Sequence, residues 1–213
     1  MLPSTMRGWA AVVSAGAVAV LGALGLASIA SSDDGQAVGR AAALSETRAD
    51  TLQRYAVLQD PSRRATGETV AKAQSALAQA FHITPAESAR AVVATAREDA
   101  AARVTVTGLQ ANGVCLSVSD HGSDSGSVGC TDTAYAGDAA HPLIAVDSVG
   151  EGRTRVTALL VDGISSLTVT GQDDARDVRV SDNVATAVVD SGPLTLSWTD
   201  QDGAEHRVST TAG

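Results

Sequence analysis

The chain has 213 residues and a formal net charge of -9, with 44% hydrophobic and only 2% aromatic residues. That length holds one modest core with appendages and excludes a large multidomain enzyme. The acidic balance argues against nucleic acid as a partner, because counterion release needs a face of Lys and Arg, and Lys72 is the only lysine.

From Trp9 to Ala30 the chain runs 22 residues without a charge. As a helix at about 1.5 Å per residue this stretch would reach about 33 Å, enough for a hydrocarbon core of about 30 Å. Residues 1–32 are therefore expected to be a membrane anchor or signal segment, with the membrane as the partner of residues 9–30. Cleavage is the alternative: Arg7 supplies a minimal positive start and Ser28-Ile29-Ala30 a small-x-small site, which would release a secreted protein near Ala30. The apolar run is longer than the roughly 7 to 15 residues usual in a signal peptide, which favours the anchor. Charge does not fix the orientation, since Arg7 on one side is matched by Arg40 and Arg48 on the other.

Residues 33–102 read as helical. Val38, Ala42, Ala49, Leu52 and Ala56 fall near one face before Asp60-Pro61 breaks the pattern, and Val70, Ala73, Leu77, Ala80 and Phe81 form a second stripe. Thr84-Pro85-Ala86-Glu87 carries a capping-box signature, with Ala89, Val92, Val93 and Ala96 as the apolar side of a third helix. Amphipathic helices of this kind are expected to pack on their own domain; the first, with a narrow Ala-rich face, is the best candidate for a stalk.

From Arg103 onward the period changes to two. Val104–Thr107, Cys115–Ser119, Leu143–Val146, Arg153–Val161, Leu167–Thr170, Val178–Val180, Val184–Val189 and Leu194–Thr199 alternate or run apolar between Gly, Asp, Asn and Ser clusters. The expected fold class is α+β: an N-terminal membrane or signal helix, a short helical segment, and a mainly antiparallel β domain over 103–213, either a sandwich or a small barrel. Nearly all the acidity lies in that last zone, whose net charge is -9 against -1 for residues 31–102.

Pairing the strands that flank SDHGSDSGS as a hairpin sets Cys115 opposite Cys130 and Ser117 opposite Val128. In an oxidising compartment the two thiols would form a structural disulfide worth about 3 kcal/mol on the chain-entropy estimate, which also places the C-terminal domain outside the membrane. A metal site of the two thiols with His121 is disfavoured because neither thiol lies in a CxxC.

His121, Asp124 and Ser125 share one loop, which does not provide the geometry of a triad drawn from distant segments, and Asp-Ser-Gly reads as turn chemistry. His82, His141 and His206 stand singly and read as surface or packing residues. Asp200, Asp202 and Gly203 resemble a fragment of a calcium loop without the remaining ligands, and read as a hairpin turn. Asp173, Asp174 and Asp177 alternate with Arg176 and Arg179 as a solvated mixed-charge turn. A carbohydrate site would need exposed aromatic platforms, and this zone offers only Tyr135 and Trp198.

Four features in order resemble a group of secreted or membrane-anchored actinobacterial proteins: Gly113-Val114-Cys115-Leu116 with Gly129-Cys130; Val161-Asp162-Gly163-Ile164 before Leu167-Thr168-Val169; Asp182-Asn183-Val184; and Trp198-Thr199-Asp200-Gln201-Asp202-Gly203. The likeness spans roughly residues 81 to 209. It departs where this chain has Val161 before the Asp-Gly and Ala185 after the Asn. The resemblance implies an extracytoplasmic location, a disulfide and a β architecture, and it carries no activity and no catalytic residue.

The functional expectation is a single-pass membrane protein, with its C-terminal β domain outside, acting as a binding or structural module toward a cell-surface protein partner. No cofactor or metal is expected, and no catalytic residue. A surface hydrolase whose acids, or a Ser–His pair, assemble only in three dimensions is the alternative, and a calcium-stabilised domain a third.

Overall fold

A computed structural model describes residues 51–109, 113–121, 126–132 and 134–211. The apolar segment at residues 9–30, the first predicted helix up to Ala49, and Asp124 and Ser125 lie outside the described residues. No helix among the described residues is long and apolar enough to cross a membrane.

Among the described residues, eleven strands form three antiparallel sheets. The first is ordered β1(Val92–Glu98)-β2(Ala102–Leu109)-β3(Gly113–Asp120)-β4(Gly126–Asp132). A second runs β5(Leu143–Gly150)-β6(Arg153–Leu159)-β9(Val184–Asp190), and a third β11(Glu205–Thr211)-β10(Pro193–Thr199)-β7(Ser166–Thr170)-β8(Ala175–Arg179). All three turn apolar residues toward one sandwich-like core, in which Val104, Val106, Val114 and Leu116 meet Val156, Leu159, Val169, Val189 and Leu196. With so few aromatics, branched aliphatic side chains at alternate strand positions supply the burial.

The helices correct the expectation in two places. The predicted first helix does not continue through its described part: Thr51–Arg54 is a 3-10 turn, α1 is the single turn Ala56–Gln59, and Pro61–Arg63 is again 3-10. These residues do not stand off as a stalk. Tyr55, Val57 and Leu58 are buried in the main core, because each apolar side chain there gains about 1.5–3 kcal/mol that a narrow Ala-rich helix face cannot supply. We call residues 51–63 the strap.

The second predicted helix is present as α2(Glu68–Phe81), with Ala73 and Leu77 buried. The third is not a full helix. Its capping box forms, with Thr84 Oγ1 accepting from Glu87 N–H and Glu87 accepting from Thr84 N–H, but α3 is only Pro85–Ser88. Val92, Val93 and Ala96, read as its apolar side, belong to β1. Three β-branched residues, Val92, Val93 and Thr95, suit a pleated surface, and the ladder to β2 from Val92↔Gly108 to Glu98↔Arg103 outweighs weak helical periodicity.

Every strand predicted from alternation is present. The hairpin register is also as expected, with Cys115 opposite Cys130 and Ser117 opposite Val128, and the two sulfurs form a disulfide. The Asp200–Gly203 segment is the β10–β11 turn: Asp200 accepts from the backbone N–H of Asp202 and Ala204, and Gly203 takes a φ of 82°. Arg176 pairs with Asp174 at 2.8 Å at the β7–β8 turn, and Asp177 accepts from Thr168.

Candidate functional site

Two polar regions stand apart from the apolar core. The first clasps the strap to the sheets. Asn183 enters the left-handed region at φ 65°, a conformation that Asn tolerates better than most residues, and this turns its amide inward until the residue is only 6% exposed. Its Oδ1 accepts from Val57 N–H at 2.9 Å, and its Nδ2 donates to Leu160 O and to Asp162 Oδ1. Asp162 Oδ1 also accepts from Ala56 N–H, and Asp162 N–H donates to Arg54 O. Next to these bonds, the Tyr55 hydroxyl accepts from Gly137 N–H while Arg54 donates to Gly137 O. Burial raises the Tyr55 phenol above its ordinary value, with the Gly137 bond opposing the shift. Gly108 completes the fit, since a Cβ there would lie 2.7 Å from Leu58 Cδ1 and 2.9 Å from Leu52 Cδ2.

Three of the four features behind the family resemblance therefore lie at or near this clasp. Val161-Asp162-Gly163 and Asp182-Asn183 hold the strap. Trp198 bonds the Ala139 carbonyl through Nε1, which fixes the loop that Tyr55 and Arg54 grip from the other side. The arrangement is structural, because its polar groups are occupied by one another.

The second region is a groove of about 450 Å³ between α2 and the first sheet. Three cross-strand rows face the helix. Thr107, Cys115 and Cys130 form the first, beneath Leu77 and Phe81; Thr105, Ser117 and Val128 form the second; Arg103, Ser119 and Gly126 form the third. Helix and sheet meet closely at the disulfide row and part toward the N-terminal end of α2. The groove opens there, with Ala73 and Ala76 on the helix side and Thr105 and Ser117 on the sheet side.

Charged groups of both signs rim this opening. Lys72 Nζ lies 2.8 Å from Glu68 Oε1 one turn away, both side chains mostly exposed, and that bond holds the Glu68 carboxyl below its usual range. Arg103 donates to Thr69 Oγ1 at 2.8 Å and to Glu98 Oε1 at 2.5 Å. The Arg103–Glu98 bond raises the guanidinium and lowers the carboxyl. At the end of β3, Asp120 accepts from the nearly buried Arg155 at 2.7 Å, with Asp147 behind it at 3.4 Å, and His121 sits 4.0 Å from Glu98. The hydroxyls are not all matched: Ser117 Oγ and Thr107 Oγ1 are buried without a hydrogen-bond partner.

The remaining histidines are placed as follows. His206 bonds Asp200 at 2.7 Å and stacks on Trp198, and His141 bonds Asp138 at 2.7 Å beside Tyr135. His82 ends α2 in the left-handed region. Among the described residues no histidine ring is bonded to a seryl hydroxyl, and no cluster of three or more His, Cys, Asp or Glu has the arrangement of a metal site. Of the two aromatics considered for carbohydrate, Trp198 is buried and Tyr135 is half exposed.

Compared with known proteins, the chain matches no protein-family model, no curated protein and no solved structure.

Proposed function

We propose that this chain is an exported, membrane-anchored binding module, with the β-sandwich-like domain outside the membrane and the groove beneath α2 as its ligand site. The observation that carries this reading is the unpartnered hydroxyl of Ser117, buried in the wall of an open groove rimmed by charges of both signs, in a domain whose other large polar cluster is internally satisfied. A polar atom removed from water without a partner costs about 1–3 kcal/mol, and a ligand that bonds it recovers that cost. The disulfide supports an oxidising location, and the apolar run from Trp9 to Ala30 supports anchoring.

Location is tested by the intact mass of the native protein from membrane and culture fractions, alkylated with and without prior reduction. Full-length membrane-bound protein that alkylates only after reduction is expected; thiols that alkylate without reduction would contradict it, and a species starting near Ser31 in the medium would replace anchoring with secretion. Ligand occupancy is tested separately through Lys72, the only lysine, which stands on the groove rim. An amine-reactive reagent applied to intact cells should acylate Lys72 more slowly than in the purified chain. Equal rates would contradict the groove reading.

A further inference from the structure

The groove combines features that narrow its ligand. Lys72 and Arg103 bring two cations to a chain of net charge -9, and Glu68 and Asp120 bring two carboxylates to the same opening. A ligand of one sign would meet both an opposite and a like charge. A ligand carrying one charge of each sign would pair with both sets. The Lys72–Glu68 pair is mostly exposed, at 70% and 79%, and ion pairs this open hold little free energy, so they exchange readily for a ligand's charges. Arg103 is held more firmly, by Thr69 and Glu98 together, and presents a planar donor set suited to a carboxylate.

The interior of the groove matches the rest of such a ligand. Ser117 Oγ can donate to an amide carbonyl or accept from an amide N–H, and it has no competing partner in the protein. Ala73, Ala76 and Val128 leave room for a small apolar side chain, and among the described residues no Phe, Tyr or Trp lines the groove to offer a sugar an aromatic platform. The volume of about 450 Å³ lies in the range of roughly 300–1,000 Å³ usual for small-molecule sites.

We infer that the groove beneath α2 binds a short zwitterionic peptide, its carboxylate held by Arg103 and Lys72, its ammonium by Glu68 and Asp120, and its amide by Ser117. This inference rests on the groove being the ligand site and adds the chemistry of the ligand.

The test titrates the purified full chain in detergent with glycyl-L-alanine by calorimetry, with Lys72 acylation as a footprint. Saturable binding is expected, and acylation should slow about tenfold at ten times Kd. N-acetyl-glycyl-L-alanine and glycyl-L-alanine amide, each lacking one charge, should bind at least about tenfold more weakly. Arg103→Gln should reduce affinity for the free dipeptide and the amine-blocked form, and hardly change it for the amide, which has no carboxylate to lose. Ala76→Trp should fill the groove and abolish binding, whereas Thr168→Ala, on the outer face of the third sheet, should leave it unchanged. Equal affinity for free and blocked dipeptides, or no saturation up to about 10 mM, would overturn the inference. If Lys72 is protected on cells but the dipeptide does not protect it, the ligand assignment fails and the groove reading stands; if Lys72 is equally reactive on cells and in isolation, both fail.

Discussion

The clasp around Asn183 and the groove beneath α2 are both polar regions set against apolar sheets, and they treat their polar atoms in opposite ways. In the clasp, one amide and one carboxylate meet two strap N–H groups, the Leu160 carbonyl just past β6 and each other. At the groove, the Ser117 hydroxyl stays unpartnered while charged groups gather at the rim. A buried polar group costs free energy unless it is bonded, so a satisfied network marks structure and an unsatisfied one within a cavity marks a place for something else to bind.

The comparison is tested most strongly at Asn183. Asn183→Ala removes the acceptor for Val57 N–H and the donor for Leu160 O at a left-handed position, and should cost about 3–4 kcal/mol in urea denaturation. A loss below about 1 kcal/mol would show that the clasp does not hold the strap.

On the groove side, Cys115→Ala combined with Cys130→Ala removes the cross-link and should cost about 3 kcal/mol. Its effect should be uneven, with faster amide exchange across β3 and β4 and little change at residues 55–58. Uniform loosening would mean that the two regions are not independent.

Tyr55→Phe is the milder clasp variant. It takes the acceptor from Gly137 N–H and should lower stability by about 1 kcal/mol, read from the thermal midpoint. The matching groove variant, Ser117→Ala, deletes a hydroxyl with no partner and should change stability by less than about 0.5 kcal/mol or raise it. A loss above about 1.5 kcal/mol would show that Ser117 is bonded after all.

Least affected should be the β10–β11 turn, a small satisfied site of the clasp kind. The hydrogen bond from His206, followed by the backbone N–H of Ala204, holds the Asp200 carboxyl below its ordinary 3.8. A folded-state value below the unfolded one makes the contribution complete above the unfolded value and progressively lost as pH falls through the folded one. Amide exchange at Asp202 and Ala204 should therefore accelerate as pH drops below about 4, after correction for the intrinsic rate, and Asp200→Asn should remove that dependence.

Much of the sheet architecture was legible because polar and apolar residues alternate. In Arg103-Val104-Thr105-Val106-Thr107 every second residue is apolar, and each such residue lies in the core. The disulfide was legible for the same reason, since once the hairpin turn is placed a period of two fixes which residues face each other. β1 was not: Val92, Val93 and Ala96 keep helical spacing with Ala89 and also fall within a strand, and the choice is made by β2 alongside. The strap was hidden because Tyr55, Val57 and Leu58 have no clear period and owe their burial to distant partners such as Asn183. The groove was hidden more completely, because its walls come from α2, β2, β3 and β4. Its one local signal was the polar alternation of Ser117 and Ser119, matched across the ladder by Arg103 and Thr105 and facing an Ala-lined helix.

The contrast between a closed clasp and an open groove is tested most directly by amide hydrogen exchange of the full chain in native membrane vesicles and after purification into detergent. The account expects equal protection in both samples at residues 55–58 and 160–162, and greater protection in the vesicles at 69–76, 117–120 and 126–128. Identical exchange in the groove, or a change confined to the clasp, would contradict it.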